Sequence, residues 1–504
     1  MVSRKQVGII LGPFLFAGIL ATEPGGLTTS QAAILAGTAW VVIWWVTEAI
    51  PIPVTSLLPI VLFPLTGAMT VGTTTAPYAD PIVFLLLGGF LVALAIERWN
   101  LHHRLSLHII ALAGTDARYL VLGFMVATGM LSMWISNTAT AMMMVPIAAA
   151  VIVELTTIGG RRRPPLDREM LDEPNDPLDP TGELLHQLDE DPLDLPNTRF
   201  GMALMLGIAY GASIGGAATL IGSPPNAVLA GIAESELGVQ IGFLEWMLVG
   251  VPLAVLFLGV SWVVLVLTLR PRVDPQPGRT DVIDRQLAEL GRMSTGERRV
   301  LGVFALVAGG WMLRPFVIEP VIPFVTDAMI AIAGAVLVFL VPVDGERLLD
   351  WEYTSRVPWG VLLLLGAGFS IARGFQVTDL DEVAATIIAS FGVTELAGMV
   401  VVLCTTVMIL TNVTSNTATA ALFMPITISV AAAIGVAPLT LMATAAFAAS
   451  FAFILPVATA PNAIVFGTGY MTIPEMAKIG ALLTLPAIIA IAVVSLWWLP
   501  VVWS

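Results

Sequence analysis

Two copies of a Ser-Asn-Thr motif, Ser136-Asn137-Thr138 and Ser415-Asn416-Thr417, lie at the centres of long apolar segments. Hydroxyl, amide and backbone oxygens are the ligands that a hard cation prefers in proteins. The N–H groups at the N-terminus of a helix favour an anion. Each motif therefore predicts a cage for a small cation beside one half of a cradle for an anion.

Charged side chains are absent from the sequence around these motifs. Between Arg118 and Glu154 there are 35 residues without Asp, Glu, Lys, Arg or His. Because neither motif contains Lys or Arg, the charge of a bound anion must be balanced by co-bound cations or by helix ends. Ser, Asn and Thr in apolar helices also join neighbouring helices by hydrogen bonds, and for one copy alone this simpler interpretation stays open.

The motifs belong to an internal repeat. The two copies are 279 residues apart, and each is followed at the same distance by a Pro-Ile pair. Two further landmarks recur in the same order at offsets of 278 and 236, namely Leu87-Gly88 with Leu365-Gly366, and Pro225-Asn226-Ala227 with Pro461-Asn462-Ala463. This order indicates two homologous halves, and paired repeats are common in secondary transporters, whose substrate site lies where the halves meet.

The elements that must position the motifs are interrupted helices. As one helix, the 35-residue segment around Ser136 would be about 52 Å long, more than the roughly 30 Å hydrocarbon core, so two arms meeting at the motif fit better. Segments 200–233 and 438–470 each contain a central run of glycine and proline, which predicts unwound backbone. Such backbone is tolerated at membrane depth only where it lines a cavity or is buried in protein.

Composition and charge predict the class of protein and its topology. Of 504 residues, 57% are hydrophobic and 12% are charged, against about 25% charged in soluble domains. We therefore expect an all-α polytopic membrane protein of the inner membrane. With a cytoplasmic N-terminus, every Lys and Arg except Arg314 and Arg373 falls on the cytoplasmic side, as the positive-inside rule favours. This topology has eleven full spans, an outside C-terminus and two halves of opposite orientation.

The predicted domain organisation follows from the repeat. We expect a first inverted repeat at 1–270, a cytoplasmic linker at 271–298 and a second inverted repeat at 299–504. The acidic, proline-rich segment 159–199 is predicted to be a solvated cytoplasmic loop. The charge rule leaves open whether the two arms around each motif form a re-entrant hairpin or two full spans, since both return to the same side. No nucleic-acid partner is expected.

The chain resembles the divalent anion/sodium symporter family, which includes sodium–dicarboxylate and sodium–sulfate cotransporters. The resemblance rests on both Ser-Asn-Thr motifs, WWVTEAIPIP at 44–53, Gly88-Gly89-Phe90, ERWNLH at 97–102, Gly222-Ser223-Pro224-Pro225-Asn226 and ATAPNAI at 458–464. It implies two re-entrant hairpins tipped by the motifs. It also implies a scaffold domain and a transport domain that moves like an elevator, in a protomer that pairs as a homodimer.

The same resemblance implies the binding residues. One sodium ion would lie near Ser132, Ser136, Asn137 and Gly222, and the other near Thr411, Thr414, Asn416 and Ala458. Substrate would contact Ser136, Asn137, Thr138, Ser415, Asn416, Thr417 and Thr459. The repeat agrees, because Ser132 and Thr411 differ by 279 and Gly222 and Ala458 by 236. Ala460 stands where a dicarboxylate carrier often has proline.

The expected function is sodium-driven uptake of a small divalent anion. A C4-dicarboxylate such as succinate, malate or fumarate is favoured, and sulfate uptake, tricarboxylate uptake and sodium-independent dicarboxylate exchange are the alternatives. The retained hydroxyls of Ser132 and Thr411 favour sodium coupling over exchange. An enzyme is disfavoured, because it would need a nucleophile–base pair or metal ligands at depth, and residues 396–474 contain no charged side chain.

Overall fold

The computed structural model describes residues 4–114, 116–156, 198–272, 281–389 and 395–503, and most of them are helical. In these ranges, eight helices are long and apolar enough to cross a membrane, namely Arg4–Thr22, Thr29–Thr47, Val71–Arg98, Phe243–Leu269, Thr295–Ile318, Trp359–Val377, Asn416–Ile434 and Ile473–Val502. Several shorter apolar helices lie between them. The chain is therefore a multi-pass helical membrane protein, as its composition predicts.

The first half begins with helix Arg4–Thr22, which packs against the next long helix. Its further helices are Thr29–Thr47, Ile52–Thr55, Leu58–Leu65, Val71–Thr75, Pro81–Arg98, Leu101–Ala111, Ala117–Ser132, Asn137–Thr156, Thr198–Gly216, Pro224–Leu237 and Phe243–Leu269. Helix Asp281–Glu289 follows, within the linker that the sequence predicts.

The second half contains the helices Thr295–Leu313, Asp327–Leu340, Trp359–Val377, Leu380–Ala389, Leu396–Thr411, Asn416–Ile434, Pro438–Ser450, Ala460–Gly467, Ile473–Val493 and Leu499–Val502. A small antiparallel pair of strands, Pro342–Val343 and Glu346–Arg347, interrupts the helices. The turn between the strands consists of Asp344 and Gly345, both with positive φ, as a two-residue hairpin turn requires.

The repeat seen in the sequence reappears in the helix bounds. Helices Ala117–Ser132 and Leu396–Thr411 each have 16 residues, and they begin and end 279 positions apart. Pro81 and Trp359 begin equivalent helices at an offset of 278, and Pro224 and Ala460 do so at 236. The same local sequence signals therefore start and stop helices at the same points in both halves.

Two hairpins and two broken helices surround the motifs. The first hairpin consists of Ala117–Ser132 and Asn137–Thr156, and the second of Leu396–Thr411 and Asn416–Ile434. The first broken helix consists of Thr198–Gly216 and Pro224–Leu237, and the second of Pro438–Ser450 and Ala460–Gly467. The C-terminal part of each broken helix packs against the second arm of the other half's hairpin, so the two halves interlock around the motifs.

The number of full spans and the acidic loop remain predictions. Four of the eleven predicted spans, near 53–69, 200–232, 325–342 and 438–470, correspond to shorter or interrupted helices, so the number of full spans stays a prediction. Of the predicted acidic loop 159–199, all but the last two residues lie outside the described ranges. Side chains on both sides of the two breaks belong to the buried core, which is the environment that unwound backbone requires.

Candidate ion and anion site

The first motif lies at the turn of the first hairpin. Helix Ala117–Ser132 ends before the turn, and the second arm begins at Asn137. The Ser136 hydroxyl oxygen accepts a hydrogen bond from the Ala139 N–H at 3.3 Å, which is the bond of a helix N-cap. The N–H groups of Asn137 and Thr138 have no partner within their own helix, because they belong to its first turn. These N–H groups and the Ser136 hydroxyl hydrogen can donate to an anion.

The side-chain amide of Asn137 faces a cluster of oxygens. One of its two terminal atoms lies 2.6 Å from the Ser132 hydroxyl, 3.2 Å from the Ala212 carbonyl oxygen and 3.1 Å from the Gly222 carbonyl oxygen. Nitrogen and oxygen of an amide are assigned from their partners. With its nitrogen turned toward the cluster, all three oxygens lie within hydrogen-bond distance of the two N–H hydrogens of Asn137. With its oxygen turned toward it, four oxygens converge, as a hard cation favours.

Two glycines allow this close approach between hairpin and broken helix. A Cβ atom on Gly216 would lie 2.3 Å from the amide oxygen of Asn137. A Cβ atom on Gly222 would lie 2.6 Å from the Gly216 carbonyl oxygen and 2.9 Å from that of Ser132. Real Cβ atoms do not approach other atoms so closely, so the first cluster requires glycine at both positions.

The second hairpin carries the equivalent cluster. The Thr411 hydroxyl lies 2.7 Å from the Asn416 amide oxygen and 2.8 Å from the Ala449 carbonyl oxygen. Ser415 is the N-cap of the second arm, and its hydroxyl oxygen accepts from the Ala418 N–H at 3.5 Å. The Ala458 N–H donates to the Leu455 carbonyl at 3.1 Å within the break. Hydroxyl, amide and backbone oxygens thus meet at this tip too.

Thr414 uses its hydroxyl inside the second hairpin. The hydroxyl donates to the Leu410 carbonyl at 2.9 Å and lies 2.7 Å from the Thr419 hydroxyl. The equivalent positions of the first hairpin are Ile135 and Thr140, which cannot form this pair. The Thr414 side chain therefore makes a contact within the second hairpin that the first hairpin lacks.

Each break is held by one buried asparagine. The Asn226 amide nitrogen donates to the carbonyls of Gly216 and Thr219, at 3.0 and 2.7 Å. The Asn462 amide nitrogen donates to the equivalent carbonyls of Ala452 and Leu455, each at 3.0 Å. Both side chains are fully buried. This Pro-Asn pair is a landmark of the repeat in the sequence, but its role in joining the two sides of each break was not predicted.

The two breaks meet each other. The hydroxyl oxygens of Ser223, in the first break, and Ser450, at the second, lie 3.2 Å apart. The Tyr210 hydroxyl, on the first broken helix, donates to the Phe453 carbonyl of the second break at 3.3 Å. The helices that begin at Asn137, Pro224, Asn416 and Ala460 therefore start around one region. Four helix N-termini place partial positive charge there. The helices that begin at Asn137, Asn416 and Ala460 also present first-turn N–H groups, whereas the helix that begins at Pro224 has proline, without N–H, at its first two positions.

The chain matches one protein family over nearly its whole length. Residues 7–504 match the model of the sodium:sulfate symporter transmembrane region. The chain belongs to this family. The sodium-dependent dicarboxylate transporter SdcS of Staphylococcus saprophyticus is 40% identical over 505 residues, with 98% of this chain and 92% of SdcS covered. SdcS of Staphylococcus aureus strain USA300 is 39% identical over 507 residues, with 99% and 92% covered.

A solved transporter shares the fold of this sodium:sulfate symporter family member. The YdaH transporter of Alcanivorax borkumensis superposes with a TM-score of 0.54 at 13% sequence identity, covering 92% of this chain and 98% of YdaH. At that identity the likeness concerns the fold alone. It agrees with the polytopic helical architecture that the sequence predicts.

Most of the motif residues of this symporter-family chain are partly exposed. Ser136, Asn137 and Thr138 are partly buried, as are Ser415, Asn416 and Thr459. Thr417 is buried, and Ala460, next to Thr459, is exposed. The Thr459 hydroxyl oxygen accepts from the Asn462 N–H at 3.2 Å, so its hydroxyl hydrogen stays available to a ligand. The structure thus brings all predicted substrate contacts to the tips and to the second break.

A positively charged side chain near the second tip was not predicted from the sequence. The Arg4 guanidinium donates to the carbonyls of Val46 and Val413, the latter at 3.2 Å. Val413 lies two residues before Ser415. Arg4 is 409 positions away from Val413 in sequence, so no local pattern announces the contact. The charge-free region predicted around the second motif is therefore bordered by one guanidinium.

Proposed function

We propose that this chain is a sodium-coupled symporter that imports a small dianion, a C4-dicarboxylate such as succinate, malate or fumarate. The observation that carries the proposal is the pairing of two oxygen-lined hairpin tips with four helix N-termini. Oxygen ligands suit a hard cation, and helix N-termini suit carboxylates. Relatives named as sodium-dependent dicarboxylate transporters align with almost the whole chain, which supports the same substrate class.

The two clusters would each hold one sodium ion. Site one consists of Ser132, Ser136, Asn137 and Gly222, and site two of Thr411, Thr414, Asn416 and Ala458. The 2.6 Å contact between Ser132 and Asn137 and the 2.7 Å contact between Thr411 and Asn416 support these groupings. Ser136, Ser415 and Thr459 accept cap bonds through oxygen, so their hydroxyl hydrogens would point to the substrate, together with Asn137, Thr138, Asn416 and Thr417.

Sodium would bind before the substrate or together with it. Neither motif contains Lys or Arg, so sodium ions and helix N-termini must balance the charge of the dianion. Two sodium ions with one dianion make an electrically neutral cycle, and a third would make uptake electrogenic. The hydroxyls retained at Ser132 and Thr411 favour this coupling over sodium-independent exchange.

We further propose the arrangement that this function requires in the membrane. The N-terminus would be cytoplasmic, the C-terminus outside, and the repeats at 1–270 and 299–504 would run in opposite directions, joined by the linker 271–298. The segment 159–199 would lie in the cytoplasm. Two protomers would pair as a homodimer. The hairpins and broken helices would move together as a transport domain, like an elevator, against the remaining helices, and this would carry substrate across.

Uptake into proteoliposomes tests the proposal. Purified protein is reconstituted, and uptake of labelled succinate is measured with an inward sodium gradient and with choline replacing sodium. We expect accumulation of succinate only with sodium, and sigmoidal dependence on its concentration. Equal uptake in choline would contradict sodium coupling and would place the chain among sodium-independent exchangers.

Sulfate or citrate is the second candidate substrate, and one observation favours a wider specificity. The exposed Ala460 lies beside Thr459 where a dicarboxylate carrier often has proline, so the smaller side chain leaves more room at the anion. Labelled sulfate and citrate in the same vesicles separate the candidates. Accumulation of either in preference to succinate would replace the C4-dicarboxylate assignment and leave sodium coupling unchanged.

A further inference from the structure

Thr219 connects the tip of the first hairpin to the first break. Its hydroxyl donates to the carbonyl of Met133, which lies in the turn between Ser132 and Asn137. The same hydroxyl oxygen accepts from the Gly222 N–H at 3.1 Å. Thr219 is fully buried. A single hydroxyl therefore fixes the hairpin turn and the glycine whose carbonyl faces Asn137.

This contact affects the distance between the hairpin turn and the broken helix, on which the proposed cation site depends. Ser132 and Asn137 come from the hairpin, whereas Gly222 comes from the broken helix, and their oxygens must converge on one point. The Asn226 amide fixes only the two sides of the break relative to each other. Thr219 adds a bond from the break to the backbone of the hairpin turn, beside the contacts that the Asn137 amide makes with the broken helix, so it helps to set the spacing between the two groups of proposed ligands.

The second half makes an equivalent tie with a residue on the opposite side. The position equivalent to Thr219 is Leu455, which has no polar group, and the position equivalent to Met133 is Asn412. The Asn412 amide oxygen accepts from the Ile454 N–H of the second break at 2.9 Å, and its nitrogen donates to the Met408 carbonyl at 2.6 Å. Each half thus has a buried polar side chain that ties its hairpin turn to its break, placed on the break in the first half and on the hairpin in the second.

We propose that Thr219 and Asn412 are positioning residues for the two proposed sodium sites. Neither side chain is among the ligands of either cluster, and each holds the hairpin ligands against the break. The inference rests on the proposed function. If it holds, loss of the tie loosens one cation cage, so sodium affinity and the preference for sodium over lithium change, whereas substrate contacts at the motifs are kept.

The test uses Thr219→Val, which keeps the side-chain volume and removes the hydroxyl, and Thr219→Ser, which keeps the hydroxyl. Thr128→Val is the matched control, because Thr128 is equally buried and its hydroxyl donates to Phe124 within its own helix. Succinate binding to each full-length purified protein is measured as a function of sodium and of lithium. We expect Thr219→Val to need about tenfold more sodium for half-maximal binding, the order of effect of one buried hydrogen bond.

The other variants make the result specific. Thr219→Ser and Thr128→Val should stay within about twofold of the unchanged protein, and only Thr219→Val should shift the ratio of lithium to sodium affinity. Affinity for succinate at saturating sodium should stay close to normal in all three. Unchanged sodium dependence in Thr219→Val, or an equal loss in Thr219→Ser or Thr128→Val, would overturn the proposal.

A second variant and a measurement on the unchanged protein complete the test. If Thr219→Val does not yield folded protein, Asn412→Leu carries the same test in the second half, with the same expected shift in sodium dependence and the same contradicting result. The unchanged protein is measured in sodium and in choline alongside. If the unchanged protein binds succinate equally well without sodium, the proposed function itself is contradicted. If its binding depends on sodium but Thr219→Val needs no more sodium than the unchanged protein, only the positioning role is contradicted.

Discussion

The clusters of oxygen atoms at the two hairpin tips are built on one plan with different spacing. In the first, Gly216 and Gly222 face the hairpin, and a methyl group at either position would collide with Asn137 or with a backbone oxygen. In the second, the equivalent residues are Ala452 and Ala458, both buried without such a restriction. Both halves therefore share the polar residues of the hairpin tips and the breaks, whereas the first cluster is packed so closely that its two glycine positions leave no room for a Cβ atom.

The two clusters also differ in which side chain contacts the broken helix. The Asn137 amide reaches two carbonyls of the first broken helix, those of Ala212 and Gly222. In the second cluster, the Thr411 hydroxyl makes the contact to the broken helix, at Ala449. We therefore expect the first site to depend on backbone spacing and the second on the threonine side chain.

The largest effect is expected from the two asparagines. Replacing Asn137 or Asn416 by Ala removes an amide and leaves buried partners unpaired, at a cost of about 1–3 kcal/mol or more. Because each is proposed to serve both sodium and substrate, either change should abolish measurable succinate uptake in proteoliposomes, although the variants elute as folded protein from a sizing column. Near-normal uptake by either variant would contradict this prediction and would indicate that its motif only joins neighbouring helices by hydrogen bonds.

A glycine–alanine exchange between the clusters tests the difference in spacing. In Gly222→Ala the new methyl group would lie 2.6 Å from the Gly216 carbonyl oxygen, and such overpacking costs about 1–3 kcal/mol. We expect roughly tenfold or greater loss of sodium affinity, measured by sodium-dependent succinate binding. Ala458→Gly is the matched change at the second site and should alter sodium affinity by only about twofold. Equal effects of both changes would remove the distinction between the sites.

Smaller effects are expected from the two hydroxyls. Ser132→Ala and Thr411→Ala should each raise the sodium concentration for half-maximal binding by a few-fold to about tenfold, as for the loss of one hydrogen bond. Affinity for succinate at saturating sodium should change less, because these side chains are proposed to touch only the cation. Thr411→Ser, which keeps the hydroxyl, serves as the control. A larger change in succinate affinity than in sodium affinity would place the hydroxyls at the substrate.

The smallest effect is expected from the acidic segment that the second half lacks. A feature present in only one half cannot form a site that both halves share. Deleting residues 165–195 should leave sodium-driven uptake within a few-fold of normal. The measurement is succinate uptake by folded, reconstituted deletion protein. Loss of all uptake in such a protein would assign this segment a role in transport.

Much of the fold was predictable from the sequence, because the internal repeat marks the same helix ends in both halves. Identical motifs at fixed offsets located both hairpin turns and both breaks, and the helices begin at the same offsets. The ties made by Thr219 and Asn412 were not predictable. They lie at repeat-related positions occupied by different residue types, so a search for recurring residues does not find them.

Other contacts at the site escaped prediction for a related reason. Arg4 reaches Val413 across most of the chain, and only the packed structure brings them together. Thr414 is predicted to lie near a sodium ion, and the pairing of its hydroxyl with Thr419 within the hairpin was not predicted. Sequence spacing identifies which residues share a region, whereas the partner of each hydroxyl depends on rotamers and packing that spacing does not encode.

Sodium coupling is tested by measuring substrate binding in sodium and in choline. Labelled succinate is titrated onto detergent-purified protein at equal ionic strength, with sodium or choline as the cation, and sodium affinity is then measured with and without succinate. The account predicts that sodium strengthens succinate binding by about tenfold or more and that succinate strengthens sodium binding by the same factor, with sigmoidal sodium dependence. Equal succinate affinity in sodium and in choline would contradict it.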